Sequence, residues 1–463
     1  MLKAYNLDNT PNPVFPTPFW VLKAAVLNRT DLQANNNKYY VLEVHEAQGQ
    51  YRLFTNYGRV GTPGIREGRY TDNLQDVLVE FERLYREKTG KSKGYVPVDV
   101  KQATVGSAYA RPLSSRTSTP LILPTVPASI SPSTIKPFLS ISPAVIAPTT
   151  SLHPELARFV ERIYDATKSE LVRRIETPLG SLSSIQIERG EAKLREIRFA
   201  IARQRRDRLV GLTSEYFSLV PHRLGARIDQ TVINNVVIDT VKKADEEEDL
   251  LQLMRDVFHV QEDLTSDADR KYRALGAQIN VLDSTSADYD RIERKIHVSH
   301  SWRHGFKLRV RRIFAVHLPD ERARFHSEQE GESLGNVQEL FHGTQNCNLV
   351  GILSRGLLIA PRNAPCTGAM FGKGIYFADQ SSKSAQYCQL SQQKNRPESG
   401  YMFLADVALG RIKRERLACY REKAPDGFDS VQGCKGTYLA HNEFIVYRAS
   451  QCTLRYIAEI ESC

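Results

Sequence analysis

Between residues 38 and 64, KYYVLEVHEAQGQYRLFTNYGRVGTPG, apolar side chains fall on alternate positions: Tyr40, Leu42 and Val44, then Tyr51 and Leu53. A period of two belongs to a half-buried strand, because successive side chains point to opposite faces. The stretch predicts two strands joined by a turn at Gln48-Gly49. The period then lengthens. Leu74, Val77, Leu78, Phe81, Leu84 and Tyr85 recur at helical spacing, and Gly90 stands where such a helix would stop. A compact sheet-plus-helix module is therefore expected over 31–100, with 1–30 as an N-terminal extension. Helical stripes return at Leu152, Leu156, Phe159, Val160 and Ile163, and at Leu250, Leu251, Met254, Val257 and Phe258. They predict an all-helical bundle over 151–271. From 272 to 463, β-type runs such as YMFLADVAL and EFIVYRA alternate with glycine turns. That pattern favours a mostly β domain with a few helices.

Residues 101–150 interrupt this order with eight prolines, many Ser and Thr, and no acidic residue. Proline at that density denies helix and central strand their N–H donors, so an extended linker is predicted. The remaining composition narrows the class. A chain of 463 residues, 41% hydrophobic and 25% charged, has the make-up of a soluble protein of about three domains. No run approaches the roughly 18 apolar residues of a membrane span, and Phe19 to Leu27 is short and carries Lys23. The N-terminus lacks the layout of a secretory signal, so an intracellular, non-secreted protein is expected. A net charge of +10 suits a polyanionic partner without specifying it. All seven cysteines lie between Cys347 and Cys463, and no two form a C-x-x-C pair. Neither a metal site nor a disulfide framework is expected.

Candidate chemistry concentrates in the last domain, in FHGTQNCNLVGILSRGLLIAP, TGAMFGKGIYFAD and HNEFIVY. Neither a Rossmann fingerprint nor a phosphate-cradling P-loop is present. Gly343, after His342, leaves backbone N–H and C=O bare for a ligand amide, and Thr344 adds a hydroxyl. Tyr376 and Tyr387 flank a small polar run in GKGIYFADQSSKSAQYC. They are either packing residues at a strand–helix joint or the two sides of a clamp for a flat ring. Glu443 heads an apolar strand, and a carboxylate beside a sugar can accept a hydroxyl proton and stabilise an oxocarbenium-like transition state.

Taken in order, these segments resemble the catalytic domain of the DNA-dependent poly(ADP-ribose) polymerases, with its diphtheria-toxin-like fold and His-Tyr-Glu signature. The likeness runs nearly unbroken through the GIL, IAP and GKGIYFAD stretches and resumes at NEFIVY. TPLGSLSSIQIERG and EYFSLVPHRLG resemble the helical regulatory domain of that family, and Tyr57-Gly58-Arg59-Val60-Gly61 resembles the signature of a WGR domain. The resemblance implies a multidomain α+β chain: a small WGR-like sheet-plus-helix module, an all-α regulatory bundle, and a mixed α/β ADP-ribosyltransferase domain on antiparallel sheets. It implies NAD+ as substrate and no metal. It makes Glu443, His342 and Tyr376 catalytic, with His342 on the adenosine ribose and Gly343 and Thr344 on the nicotinamide amide. Tyr387 becomes the stacking platform, Lys383 the neighbour of Glu443, and Phe377, Ala378 and Ser384 further NAD+ contacts. DNA ends or nicks, protein acceptors and the chain itself are the implied partners of a monomer, nuclear in a eukaryote and cytoplasmic or nucleoid-bound in a bacterium.

This chain departs from the family pattern in places. Thr344 replaces a serine, and Leu358 and Ala369 stand where relatives carry an arginine and an aromatic. His441 replaces a tyrosine, and nine residues separate Gly433 from Glu443 where a long loop is common. Tyr57 replaces the tryptophan of the WGR signature. Residues 31–100 balance ten basic against ten acidic residues, so DNA contact is assigned locally to Tyr57, Arg59, Arg52, Arg66 and Arg69, as a phosphate-binding edge. Arg59 has a second reading, a bridge to the helical region. The expected function is DNA-break-stimulated polymer synthesis. The rivals are mono-ADP-ribosyl transfer or NAD+ hydrolysis, and a non-catalytic DNA-end adaptor.

Overall fold

The structure is a computed structural model that describes residues 2–9, 11–100, 110–111, 150–175, 182–260, 267–327, 331–359, 370–388, 390 and 399–462. The linker read at 101–150 (110–111 and 150 apart) and Ala369 lie outside the described residues. The chain is α+β, as expected.

The N-terminal sheet runs Tyr5–Asn6, Ile65–Thr71, Gln50–Arg59, Asn36–Ala47, Phe19–Asp31, Val96–Val98, each neighbour antiparallel. The expected hairpin is there. Ala47 pairs with Gln50, and Gln48 (φ 52°) and Gly49 (φ 78°) both take left-handed backbone, the two-residue turn that matches strand twist. Helix Leu74–Thr89 follows, its first turn capped by the Asn73 side chain and its end at Gly90. It lays Val77, Phe81 and Leu84 on Tyr40, Leu42, Val44 and Leu53. The sheet also takes in Phe19–Asp31, part of the stretch read as an extension. Lys23, Asn28, Arg29 and Thr30 break its apolar alternation because the strand meets polar partners. Asn28 donates to the carbonyls of Phe217 and Ser218, and the Thr30 N–H donates to Ser218 Oγ.

The helical region is not a self-contained bundle. In helix Pro154–Arg174, the stripe Leu156, Phe159, Val160, Ile163 packs with Phe314, Tyr401, Phe403 and Ile457 of the C-terminal domain. The Phe159 ring sits 4.8 Å from Phe314 and 4.9 Å from Tyr401. The other stripe behaves differently. Leu250, Leu251 and Met254 pack with Ile187, Leu194 and Tyr216, and that core continues onto Tyr39 and Val41 of the N-terminal sheet. An apolar stripe states that a face is buried but not against what. Here the region splits its faces between its two neighbours and couples them.

The C-terminal domain holds two sheets. One runs Val337–Gly343, Gly400–Ala408, Cys452–Ser462, Leu308–His317, Gln278–Val281. The other runs Ile375–Phe377, Glu443–Val446, Ser430–Gly433, Ile412–Glu415. Pairing is antiparallel except between Ile412–Glu415 and Ser430–Gly433.

Candidate active site

The two C-terminal sheets are stitched at one bridge, where Phe341 and Ala378 exchange both N–H···O bonds at 2.9 Å. His342 is the next residue, so its ring lies at the seam. Its Nδ1 is 2.9 Å from the Tyr376 carbonyl oxygen. A carbonyl only accepts, so Nδ1 carries the proton and Nε2 presents a lone pair. Burial lowers the His342 pKa and outweighs the opposing bond to Tyr376, which keeps the ring neutral. Tyr376 stands opposite Ile445, two residues into the strand that Glu443 begins. The seam therefore gathers His342, Tyr376 and Glu443 from distant parts of the chain.

Gly343 is required by close approach: a Cβ there would run into the Ser384 carbonyl. The short helix Ser381–Ala385 is pressed against the strand end, which explains its small residues. Ser381 Oγ donates to the Ile296 carbonyl at 2.6 Å, and Ser382 Oγ accepts the Ser301 N–H at 2.8 Å and lies 2.8 Å from His304 Nδ1. Ser384 is buried. Lys383 leaves this helix toward the site. Its Nζ is 2.9 Å from Glu443 Oε1 and 3.3 Å from the Tyr387 hydroxyl, and it lies 5.3 Å from the Tyr387 ring centroid. Burial alone would lower the Lys383 pKa; the bond to Glu443 reverses this and raises it, so the ammonium stays charged.

The two tyrosines differ in freedom. The Tyr376 hydroxyl donates to the Gly372 carbonyl at 2.7 Å and accepts the Phe371 N–H at 3.1 Å, so it is fixed by the preceding loop. Tyr387 is 54% exposed and lines, with Gly343 and Thr344, a cleft of about 700 Å³. Thr344 Oγ1 accepts from Asn348 Nδ2 at 3.1 Å and keeps its own proton to donate. Phe377 and Ala378 are placed differently from the expectation. Phe377 is 2% exposed within the core, and Ala378 spends its N–H and C=O on Phe341. They hold the seam and present no polar group to a ligand.

Residues on either side of Glu443 complete its setting. His441 is 4% exposed and packs against His304, the rings tilted 37° with centroids 4.4 Å apart; burial first, then Lys383, Lys435 and Arg303, lower its pKa. Asn442 Nδ2 donates to Asp379 at 2.8 Å. Sequence reasoning singled out His441 but missed His304, Ser382 and Asp379, whose roles depend on partners far away in the chain. Leu358 is exposed.

The far wall of the cleft belongs to the helical region: Glu170, Arg173, Glu246 and Asp249 face Thr344, Gln345 and Tyr387. That wall is tied down by Thr167 Oγ1, which donates to the Cys347 carbonyl at 2.9 Å. Behind it lies a buried node. Glu247 is 2.7 Å from Arg174, 3.0 Å from His222 Nε2 and 3.0 Å from the Tyr216 hydroxyl. Burial opposes the Glu247 charge, but His222, Arg174 and Tyr216 outweigh it and bring its pKa to about 2.

The node reaches the N-terminal sheet. Asn37 Nδ2 donates to the His222 carbonyl at 2.9 Å. Arg59 Nε donates to the Gly225 carbonyl at 2.8 Å, and its other nitrogens bond Asn35 at 3.1 and 3.2 Å. Arg59 thus makes the bridge to the helical region. The expected phosphate-binding edge does not assemble. Arg52 is stacked 4.4 Å from the Phe15 centroid and bonded to His45 Nδ1 at 2.9 Å. Arg69 is 9% exposed between Glu67 at 3.0 Å and Glu80 at 3.7 Å. Arg66 pairs with Asp8, and the Tyr57 hydroxyl donates to Glu67 at 3.0 Å. The local reading failed because Asp8 and Glu80, distant in sequence from Arg52–Arg69, pair with these arginines in the fold.

Among the described residues, no group of three or more His, Cys, Asp or Glu is placed to hold a metal ion. No described helix is long and apolar enough to cross a membrane. Residues 23–102 match the WGR domain family, 150–285 the poly(ADP-ribose) polymerase regulatory domain, and 286–462 the poly(ADP-ribose) polymerase catalytic domain. Poly(ADP-ribose) polymerase 2 of Arabidopsis thaliana is 27% identical over 94% of this chain and 72% of its own length. Polymerase 2-A of Oryza sativa subsp. japonica is 29% identical over 94% of this chain and 69% of its own. Polymerase 1 of Gallus gallus is 29% identical over 95% of this chain, which spans only 45% of that longer protein. Three consecutive domain matches, each falling on its own part of the fold, make the chain a member of the poly(ADP-ribose) polymerase family and an NAD+ ADP-ribosyltransferase.

Proposed function

We infer that the chain is a DNA-break-stimulated poly(ADP-ribose) polymerase whose reaction runs at the seam of His342, Tyr376 and Glu443. The observation that carries this is the Lys383–Glu443 pair at 2.9 Å, set on the strand beside Tyr376. Lys383 engages Oε1 and leaves Oε2 to a ribose hydroxyl. The His342 Nε2 lone pair can accept from the adenosine ribose. The Gly343 backbone and the Thr344 hydroxyl suit the nicotinamide amide, with the exposed Tyr387 ring as stacking surface and Tyr376 as the fixed wall. As the C1′–N bond breaks, its electron pair leaves with neutral nicotinamide and positive charge grows on the ribose. Glu443 stabilises that charge. An acceptor hydroxyl then bonds C1′, and its proton passes to the carboxylate or to water.

Control follows from the helical wall. Glu170, Glu246 and Asp249, with Arg173 and Arg174 among them, build a mixed-charge wall that narrows the mouth of the site. DNA docking on the N-terminal sheet would act through Arg59–Gly225 and Asn37–His222 on the Glu247 node behind this wall. DNA ends or nicks, protein acceptors and self-modification belong to this reading. The test is Glu443→Gln assayed with labelled NAD+ and resolved by product length. Loss of chains with the fold retained supports it; chains of undiminished length would overturn the role of Glu443.

A further inference from the structure

Helices Ser184–Ala202 and Arg206–Leu219 of the regulatory region meet at a tight turn in which Gln204 takes left-handed backbone, φ 55°. Around it stand Arg195, Arg203, Arg205, Arg206 and Arg208, all exposed. They surround Phe199, which is 59% exposed although Ile197 and Ala200 beside it are buried. The Arg203 guanidinium lies 4.2 Å from the Phe199 centroid. A shallow cavity of about 420 Å³ runs between the helices, with Ala200 and Leu212 at its base and Arg195, Arg203, Arg205 and Arg208 among its lining. The acidic side chains nearby are engaged: Asp207 with Arg205 at 3.2 Å, Glu196 with Lys193 at 2.9 Å. Among the described residues, no carboxylate lies within ion-pair distance of Arg195, Arg203, Arg206 or Arg208.

Clustered like charges around an exposed ring repel one another and leave apolar surface wet, an arrangement that the fold does not require. It is suited to a nucleotide chain: guanidinium groups bind phosphate oxygens in a planar fork, and an aromatic ring with a stacked arginine takes a base face. We propose that this turn binds ADP-ribose chains, with an adenine on Phe199 and pyrophosphates on the surrounding arginines. Duplex DNA hides its base faces within its stack and leaves Phe199 idle. Single-stranded nucleic acid shows its bases but carries one phosphate per base, whereas an ADP-ribose chain carries two. Four unpaired guanidiniums around one ring match the richer charge. The ligand is also at hand, because the catalytic domain of this family makes it; in that respect alone the inference rests on the function proposed above.

The test uses the full chain without NAD+ and measures binding of purified, labelled ADP-ribose chains of uniform length. A single-stranded oligonucleotide of equal phosphate count is run beside them. Arg203→Glu with Arg208→Glu is expected to weaken chain binding more than about tenfold and to flatten its salt dependence. Phe199→Ala is expected to weaken it about fivefold. All three positions are exposed, and unchanged thermal unfolding of the variants verifies that they fold. Chain binding unaffected in both variants overturns the proposal. So does a loss confined to the oligonucleotide, which assigns the turn to single-stranded nucleic acid. Because the chains are supplied ready-made, failure here is distinct from failure of the polymerase reading, which shows as no NAD+ incorporation by the unaltered protein.

Discussion

The N-terminal sheet and the helical region each bring a buried glutamate and histidine together with a partly buried arginine, and the two clusters behave in opposite ways. In the sheet, Glu43 touches His45 Nε2 at 2.6 Å, while Arg52 bonds the other ring nitrogen, Nδ1, at 2.9 Å and lies over Phe15 and Phe19. Glu43 Oε1 has no partner, and burial lifts the Glu43 carboxyl to about 8, with Arg52 only partly opposing. In the helices, His222, Arg174 and the Tyr216 hydroxyl all reach Glu247 directly, and its carboxyl falls to about 2. The same three residue types give a neutral acid in one place and a firm anion in the other. What decides is how many groups hold the carboxylate: Glu247 has His222, Arg174 and Tyr216, whereas Glu43 has only His45, whose own pKa burial lowers. The neutral cluster can serve as static core, whereas the charged one sits between the sheet and the cleft wall and can transmit a displacement.

The comparison breaks most visibly at Glu247. Glu247→Gln leaves the buried His222 and the partly buried Arg174 without their charge partner and should cost about 2–4 kcal/mol of stability, read by denaturant unfolding, while raising DNA-free activity as the wall loosens. Glu443 is partly buried and paired to Lys383. Glu443→Gln should lower turnover about 10- to 100-fold, the worth of one hydrogen bond to a charged partner, with little change in unfolding. Arg59→Ala removes the bonds to Gly225 and Asn35, about 1–2 kcal/mol across that contact, and should reduce stimulation by DNA several-fold while DNA-free turnover holds. Glu43→Gln is the smallest. Below about pH 4.5, where the Glu43 carboxyl is protonated folded and unfolded alike, an amide should change stability by less than about 1 kcal/mol.

The pH dependence separates the clusters with opposite sign. Glu247 has a depressed pKa, so its contribution is present above the unfolded carboxyl range, near 4.5, and is lost as pH falls toward about 2. Glu43 has a raised pKa, so stability is highest below about 4.5 and declines as pH rises toward about 8. Unfolding free energy measured from pH 3 to 9 should lose its acid limb in Glu247→Gln and its alkaline decline in Glu43→Gln.

Much of this was legible in sequence where the signal is local. The hairpin at Gln48-Gly49 and the helix Leu74–Thr89 follow from periodicity and turn residues alone, and the seam residues sit in contiguous motifs. What could not be read were partners. The stripe Leu156–Ile163 announces burial without naming the C-terminal sheet that supplies it. Arg52 and Arg69 read as surface cations because Glu43 and Glu80 lie on other strands and helices. The ring contact of His304 with His441 joins residues that no spacing rule relates.

The most direct measurement is incorporation of labelled NAD+ by the purified chain, with and without short blunt or nicked duplex DNA, resolved by product length. Long chains whose synthesis rises steeply with DNA are the predicted result. Equal incorporation with and without DNA, or none in either case, would contradict a polymerase whose cleft is held by the helical wall until the N-terminal sheet meets a break.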